Sequence, residues 1–446
     1  MFDMKIFIGP HEVAGFYANL ELGLRSLGVD AEFVEYRPHK FGYRITQRAM
    51  WLIGLMHRLN GRRGQAERHI LWRVLFALPG ELLRWPYFFY ALARYDVFVF
   101  GFGQSILPGN LDLPLLRLFG KTIISHLGHG SELRPPFMDG SYQSPDGSMQ
   151  PSLQSLLKIS VRIRRRARKF ERYANVVIGA PFSSTQYAQK RMVNVFALGI
   201  PSRGVSSMSP EAGQIGLRER SGMGHLAPVR ILHCPSHPAV KGSGQVRALI
   251  QNLRAKGHAI DYREISGRPN AEVLDAIAAC DFVIDQMFSD SPLPGFATEA
   301  AWYGKAVVIG GYGFELLKQH VPPSMWPPSR TCHPDDMESV VESLILDPLE
   351  RHRIGQALQH FVRTHWAAEA VASRFVRLMN GQIPSEWWLN PGDVVYVHGV
   401  GQTEAQTQAR IRSLVELAGI DSLQLSAHTS VEEAALAFAQ LERQGA

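Results

Sequence analysis

Short apolar runs alternate with amphipathic segments along the first two hundred residues. The run at 95–103 is almost continuously apolar, and those at 5–10 and from residue 121 onward are shorter; each ends in or leads into a turn rich in glycine, proline or histidine. Between the first of these runs and the next strand pattern, residues 15–28 place apolar side chains at helical spacing and end at Gly28. Buried strands separated by helices are typical of a parallel sheet that is covered on both faces.

A second alternating series starts at residue 229, after a stretch of turn residues with little periodicity. Its apolar runs at 229–234, 281–285 and 306–311 are again separated by helical segments. We therefore predict an α/β fold of two Rossmann-like, doubly wound domains that face a cleft, with ligands beyond the carboxyl ends of the strands. The predicted parts are a first domain at 1–200, a linker at 201–228, a second domain at 229–375, and a return helix with a small C-terminal α/β appendage at 376–446.

The composition agrees with a globular protein of more than one domain. The chain has 446 residues, of which 46% are hydrophobic and 20% charged. Cys234, Cys280 and Cys332 are far apart and match no metal or redox spacing, which favours small buried side chains in a reducing compartment. No secretory signal and no apolar run of about 20 residues is recognisable, so a cytoplasmic protein is expected.

The excess of positive charge has a local source. Residues 158–172 carry eight Lys or Arg and one Glu, a net charge of +7 that equals that of the whole chain. The remainder is balanced, so a nucleic-acid partner is not expected. Two interpretations of this helix stay open: its arginine face is solvated, or it contacts an anionic membrane at the inner surface of the cell. Its apolar stripe is formed by Ile159, Ile163, Ala167 and Phe170.

Two stretches of the second domain could hold an anion and a sugar. In "HCPSHPAVKGSG", Lys241 and two glycines precede a helix, whose free amides would bind phosphate; a solvated lysine in an ordinary turn is the alternative. In "PGFATEAAWYGKAVV", Glu299 is the only carboxylate and lies near the first turn of a helix. It could accept hydrogen bonds from two adjacent sugar hydroxyls. Alternatively, it could only stabilise the helix through a favourable interaction with the helix dipole.

Together these stretches resemble the second domain of retaining glycosyltransferases of family 4, which have the GT-B fold. The matching residues are Pro235-Ser236, Lys241-Gly242, Asp281 to Gln286 and Gly295 to Val307. The resemblance implies that Lys241 contacts the donor diphosphate with Ser236 nearby, and that Glu299 binds the ribose hydroxyls. It further implies phosphate contacts by the amides of Gly295, Phe296 and Ala297, and a base flanked by Ser266, Gly267 and Arg268.

The match has two departures in the second domain. The family often has a second glutamate eight residues before the first, in contact with the transferred sugar. Ser291 occupies that position here, and Asp290 beside it is the candidate substitute. The family's frequent arginine five residues before the lysine is replaced by Ser236.

The first domain carries a turn that resembles another part of the same enzymes. "GHGSELR" is similar to their "HG-x-D" turn, which implies that His129 positions or polarises the reacting groups and that His129 and Glu132 lie on the acceptor side. His126 is a second candidate. The glycine loop that includes Gly15 would approach the phosphates.

The resemblance implies a retaining, hexosyltransferase-like enzyme that moves a sugar from a nucleotide diphosphate sugar to an acceptor, for which a glycan or a lipid-linked molecule is expected. The sequence has no Asp-x-Asp pair near a strand end, and none of its His/Cys groupings has the spacing of metal ligands. Neither a metal nor a separate cofactor is therefore expected. Two alternatives remain open: a sugar-nucleotide epimerase or hydrolase on the same fold, and a non-catalytic scaffold that binds membranes or polyanions.

Overall fold

Two β-sheets, parallel except for one edge strand of the first, form the frame of the protein. The computed structural model describes residues 4–36, 53–55, 58, 80–142, 151–204 and 227–441. The first sheet contains β1 (Lys5–Gly9), β2 (Asp30–Phe33), β3 (Val97–Gly101), β4 (Thr122–His126), β5 (Val176–Gly179), β6 (Met192–Asn194) and β12 (Trp388–Leu389). The second contains β7 (Val229–His233), β8 (Ile260–Glu264), β9 (Phe282–Ile284), β10 (Ala306–Gly310) and β11 (Arg330–Cys332).

Helices connect these strands. Those of the described ranges that bear on the site are α1 (Phe16–Ser26), α2 (Arg84–Arg94), α3 (Asp112–Leu118), α4 (Leu153–Tyr173), α5 (Pro181–Ser184), α6 (Val195–Leu198), α7 (Pro238–Lys241), α8 (Ser243–Ala255), α9 (Asn270–Ala279) and α10 (Gly295–Trp302). The remaining helices are α11 (Phe314–Gln319), α12 (Met337–Leu346), α13 (Pro348–His365), α14 (Ala368–Met379), α15 (Glu404–Ala418) and α16 (Thr429–Phe438). No helix in these ranges is both long enough and apolar enough to span a membrane.

The apolar runs form strands because helices cover both sides of them. Every residue of β3 and of β10 is buried, as expected for central strands of a sheet covered on both faces. β8 lies at an edge of the second sheet, and its buried and exposed residues alternate with the period of a half-covered strand. The predicted fold of two Rossmann-like, doubly wound domains is confirmed.

The strand order of each sheet contains one reversal. The first sheet runs β12–β6–β5–β4–β3–β1–β2 and the second runs β11–β10–β9–β7–β8. β1 therefore lies between β2 and β3, and β7 lies between β8 and β9. The loops after β1 and β3, and those after β7 and β9, diverge at these points and leave a crevice at the carboxyl edge. The sequence-predicted site residues follow β1, β4, β7, β8 and β9.

The chain passes between the domains at two neighbouring points. Ser202 and Ala367 pair as an isolated parallel bridge, and the amide of Ser202 donates to the carbonyl of Trp366 at 2.9 Å. Beyond this point α14 packs on α1 of the first domain, so the chain returns to that domain before the predicted boundary at residue 375. Residues 205–226 of the predicted linker lie outside the described ranges.

The C-terminal appendage extends the first domain. β12 pairs antiparallel with β6 at the edge of the first sheet, and α15 packs on α4. The Tyr396 and Phe182 rings stack with centroids 3.7 Å apart. The predicted appendage thus contributes helices and one edge strand, and within residues 376–441 it has no sheet of its own.

The contact between α1 and α14 gives a first test of the fold. A Cβ at Gly23 would overlap the backbone carbonyl of Ala368, whereas a Cβ at Gly244, also inside a helix, would meet open space. Gly23→Ala should lower the free energy of unfolding by about 2 kcal/mol or more through overpacking. Gly244→Ala should leave it unchanged or raise it by up to about 1 kcal/mol through helix propensity. Urea denaturation of both variants measures this; equal values would contradict the α1–α14 contact.

Candidate functional site

Lys241 lies at the carboxyl edge of the second sheet, at the end of α7. The next residue, Gly242, has a φ of 70° and opens α8, and a Cβ there would overlap the Met287 side chain. Glycine is required at this position because L-residues avoid this conformation. The backbone carbonyl of Lys241 accepts a hydrogen bond from the Met287 amide at 3.1 Å. These contacts fix Lys241 beside the loop that follows β9.

Asp285, the first residue of that loop, is fully buried. Its Oδ1 lies 3.6 Å from Lys241 Nζ. Among the described residues, no hydrogen bond reaches either of its carboxylate oxygens. Because a buried carboxylate is costly without partners, Lys241 provides the compensating charge. The pair keeps unused hydrogen-bonding capacity at the carboxyl edge.

The first turn of α10 is open. Pro294 precedes the helix, and no side chain caps it. The amides of Gly295, Phe296 and Ala297 start the helix and have no acceptor inside it. Gly295 is exposed and Ala297 is buried, so the turn begins at the surface of the crevice. Such a helix start attracts an anion through its free amides and its dipole.

Glu299 follows in the second turn of α10. Its Oε1 accepts a hydrogen bond of 2.8 Å from Asn270 Nδ2 on α9. Burial raises the pKa of Glu299 to about 7; the Asn270 hydrogen bond opposes this rise and the charge of Asp285 adds to it. The carboxyl group is therefore close to its titration point near neutral pH, with Oε2 available for a second contact.

The corresponding helix start of the first domain is occupied by the protein itself. The buried Glu12 carboxylate accepts the amides of Val13 at 2.7 Å, Tyr17 at 3.1 Å and Ala18 at 2.9 Å. Gly15, with a φ of 78°, lies inside this closed turn. The predicted approach of the glycine loop to a phosphate therefore does not use the first-turn amides of α1.

The glycine loop nevertheless faces α10 across the crevice. Ala14 Cβ lies 3.7 Å from the position that a Cβ of Gly295 would take. The two helix starts thus meet at the opening between the domains. The start of α1 is neutralised by Glu12, whereas the start of α10 is open. The electrostatic potential between them therefore favours an anion bound to the second domain.

The half-buried His129 and the buried His126 form a hydrogen-bonded group with Tyr17, which is also buried. Tyr17 Oη lies 2.7 Å from His129 Nε2 and 3.2 Å from His126 Nδ1. Burial lowers the pKa of His129 to about 3 and also lowers that of His126, so both imidazoles are neutral near pH 7. Glu132 is fully buried, and its Oε1 accepts the backbone N–H of His129 at 2.6 Å. Glu132 therefore holds the His129 turn and presents no surface to an acceptor.

Asp290 joins the two domains. Its Oδ2 accepts a hydrogen bond of 2.6 Å from Arg134 Nη2, and Arg134 Nη1 binds Asp139 at 3.2 Å. The two carboxylates raise the pKa of Arg134 against the effect of its burial. One oxygen of Asp290 thus holds an ion pair between the domains, and contact of Asp290 with the transferred sugar stays a prediction.

The predicted base-flanking loop lies beyond β8. Ser266 Oγ donates to the Pro235 carbonyl at 2.9 Å, so it connects this loop to the one that contains Ser236. Ser236 is exposed, as are Gly267 and Arg268. Arg268 lies 4.0 Å from Glu272 at the surface.

Sequence patterns found most of this edge but missed three of its side chains. Lys241, Glu299 and the α10 start all lie at the carboxyl edge of the second sheet, and His129 and Gly15 follow strands of the first. The roles of Asp285, Arg134 and Glu12 were not predicted. A signal existed for Asp285, because it is a lone carboxylate at the end of an apolar strand. In the described ranges, no group of three His, Cys, Asp or Glu residues could hold a metal ion.

Comparison with known proteins gives a likeness of fold. No family model and no curated protein matches the sequence. The catalytic domain of starch synthase IV from Arabidopsis thaliana, bound to ADP and acarbose, aligns over 85% of this chain and 99% of its own, with a TM-score of 0.50 and 10% identity. Anabaena HepE in complex with UDP aligns over 85% and 100%, with a TM-score of 0.46 and 13% identity. Sucrose-phosphate synthase from Thermosynechococcus elongatus aligns over 84% of this chain and 98% of its own, with a TM-score of 0.47 and 13% identity.

The two facing doubly wound domains and the alignment of starch synthase IV over nearly its whole length identify the architecture. The fold is GT-B. In this GT-B protein the crevice between the domains contains the open start of α10, Lys241 and Glu299.

The raised pKa of Glu299 predicts a pH-dependent stability. Because the folded protein holds this proton more tightly than the unfolded chain, stability is lost as pH rises from about 4.5 to about 7. The free energy of unfolding of the wild type, relative to Glu299→Gln, should therefore fall by about 2 kcal/mol between pH 4 and 8. Urea titrations across this range measure the difference. The control is Glu272→Gln, which changes an exposed carboxyl group; an identical pH profile for both variants would contradict the burial of Glu299.

Proposed function

We propose that this protein is a glycosyltransferase that moves a sugar from a nucleoside diphosphate sugar to an acceptor. One observation carries the proposal: Lys241 and the open first turn of α10 both lie at the carboxyl edge of the second sheet, beside its strand-order reversal and opposite the glycine loop of the first domain. The buried Asp285 lies 3.6 Å from Lys241, and its charge also acts on Glu299. An amide-lined helix start and a lysine fit a diphosphate. A carboxylate one turn further along fits a pair of ribose hydroxyls.

Lys241 would stabilise the diphosphate as a leaving group. When the bond between the sugar and the diphosphate breaks, negative charge develops on the diphosphate oxygen. Lys241 and the amides of Gly295 to Ala297 would stabilise that charge without a metal ion or cofactor. Asp285 would hold the ammonium group in place, because the two lie 3.6 Å apart and Asp285 is buried.

The first domain would supply the acceptor side. His129 lies beside the glycine loop and is held by Tyr17 and Glu132. As a neutral imidazole it would position the donor sugar or the acceptor by a hydrogen bond. Membership of family 4, transfer of a hexose and retention of configuration are proposed from the resemblance of residues 235–307. A glycan or a lipid-linked acceptor is proposed on the same ground.

Calorimetric titration with UDP, GDP, ADP, CMP and dTDP tests the donor site. We expect one base to be preferred. Lys241→Ala should lower the affinity for the nucleoside diphosphate by about tenfold or more, because a charge-assisted hydrogen bond is lost. The affinity for the matching nucleoside should be nearly unchanged. Glu299→Ala should weaken both, because the ribose is common to them.

Two control variants distinguish loss of a contact in the donor site from an unspecific effect of changing a charged side chain. Lys256→Ala and Glu272→Ala change exposed side chains of the same domain and should not alter nucleotide binding. If folded wild-type protein binds none of the five nucleotides, or if Lys241→Ala and Lys256→Ala behave alike, the donor-site proposal is wrong.

A further inference from the structure

The outer face of α4 carries an uninterrupted row of positive charge. Five exposed basic residues follow one another at spacings of four, three, three and four, which places them on one side of the helix. Within the described residues, no ion pair or hydrogen bond joins these five side chains to a carboxylate. The opposite side of α4 is buried in the core of the first domain. The row, here called the basic row, consists of Lys158, Arg162, Arg165, Arg168 and Arg172.

Other basic residues of α4 hold the helix in place. Arg164 Nη1 donates to Gln424 Oε1 at 2.8 Å, and Arg166 Nη1 donates to the Glu132 carbonyl at 3.3 Å. Lys169 Nζ donates to the Gly109 carbonyl at 2.7 Å. Three of the eight basic side chains therefore attach α4 to its surroundings. The basic row is presented on a fixed support, so little ordering is needed when it binds.

Exposed apolar side chains lie on α3, which packs on α4, and on α2. α3 packs on α4, and at its end Leu118 is 77% and Phe119 60% exposed. Leu111, before α3, is also largely exposed. On α2, Trp85 and Phe89 are exposed one turn apart. These are large apolar side chains that a water-facing surface does not require.

All three helices lie on the same face of the first sheet. α2, α3 and α4 directly precede β3, β4 and β5, and these strands follow one another in a single direction across the sheet. Right-handed connections then place the helices on one face. α1 connects β1 to β2 in the other direction and is packed on α14. We name the surface formed by the basic row, α3 and α2 the outer face.

We propose that the outer face docks on an anionic lipid membrane. The basic row matches the negative charge of phosphate headgroups, and Leu118, Phe119, Trp85 and Phe89 would enter the boundary between headgroups and acyl chains. A soluble polyanion would use the charges but would gain nothing from the apolar side chains. This combination favours a membrane over a charged glycan.

The docked orientation would connect the membrane to the cleft. Arg166 of α4 contacts the turn that contains His129 and Glu132, so the helix that would lie on the lipid also supports the first-domain side of the crevice. The docking itself does not rest on the proposed transferase activity, and its test uses no nucleotide.

Vesicle co-sedimentation of the full chain tests the proposal. The probes are phosphatidylcholine vesicles and equimolar phosphatidylcholine–phosphatidylglycerol vesicles. We expect binding to the anionic vesicles alone, with affinity that falls as salt is added. The triple variant Arg162→Glu/Arg165→Glu/Arg168→Glu should bind them at least about tenfold more weakly. A charge-matched control, Arg263→Glu/Arg353→Glu/Arg363→Glu, changes exposed residues of the second domain and should bind like the wild type.

A second pair of variants separates a membrane from a polyanion. Leu118→Ser/Phe119→Ser should weaken binding to anionic vesicles and leave binding to heparin unchanged. The matched control is Leu346→Ser/Leu349→Ser, which changes two leucines of the second domain that are 67% and 80% exposed. Thermal unfolding and circular dichroism establish that each variant is folded.

The following results would overturn the proposal: equal binding to neutral and anionic vesicles, no binding to either, or equal effects of the triple variant and its control. If Leu118→Ser/Phe119→Ser binds vesicles as the wild type does while heparin competes, the outer face binds polyanions instead.

Discussion

The hydrogen bonds of Ser202 fix how the two domains are joined. Its amide and hydroxyl both donate to the Trp366 carbonyl, at 2.9 and 3.0 Å, and its carbonyl accepts the Ala368 amide at 3.0 Å. Its hydroxyl oxygen also accepts a hydrogen bond from Trp302 Nε1 at 2.9 Å. Trp302 is the last residue of α10, whose first turn faces the crevice. One helix therefore extends from the connection between the domains to its open first turn at the crevice, and a rotation at the connection would move that turn directly.

The crevice depends on a difference between two helix starts that meet there. α1 is neutralised by the buried Glu12, and α10 has no capping side chain. If both were capped, no amides would be left for an anion; if both were open, the ligand-free protein would have two unsatisfied positive ends facing each other. The Arg134–Asp290 pair crosses the same crevice at 2.6 Å and holds the first-domain turn near the loop after β9. Asp290, which holds the interdomain ion pair, and the open start of α10 thus belong to the same loop after β9.

The fold and the second-domain edge could be predicted because their signals are local in sequence. Apolar runs such as β3 and turn residues such as Gly242 carry their structural consequence within a few positions. The Arg134–Asp290 pair joins residues 156 positions apart, and no local pattern indicates which carboxylate an arginine will reach. The return of α14 to α1 is likewise a packing outcome, since the helix pattern is the same whichever domain it covers. Asp285 is an intermediate case: its position was visible, but its lack of hydrogen bonds was not.

The net charge of α4 could be predicted from the sequence, whereas the roles of its individual basic side chains could not. Eight basic residues in fifteen positions gave a charge but no assignment of individual side chains. The fold separates them into three that hold the helix and five that face outward. Since the helix is anchored to the appendage at Gln424 and to the turn before Arg134 at Glu132, its outward charges cannot move independently of the first-domain side of the crevice. A surface that binds on the outer face would therefore set the orientation of the whole first domain, and with it the direction from which an acceptor reaches His129.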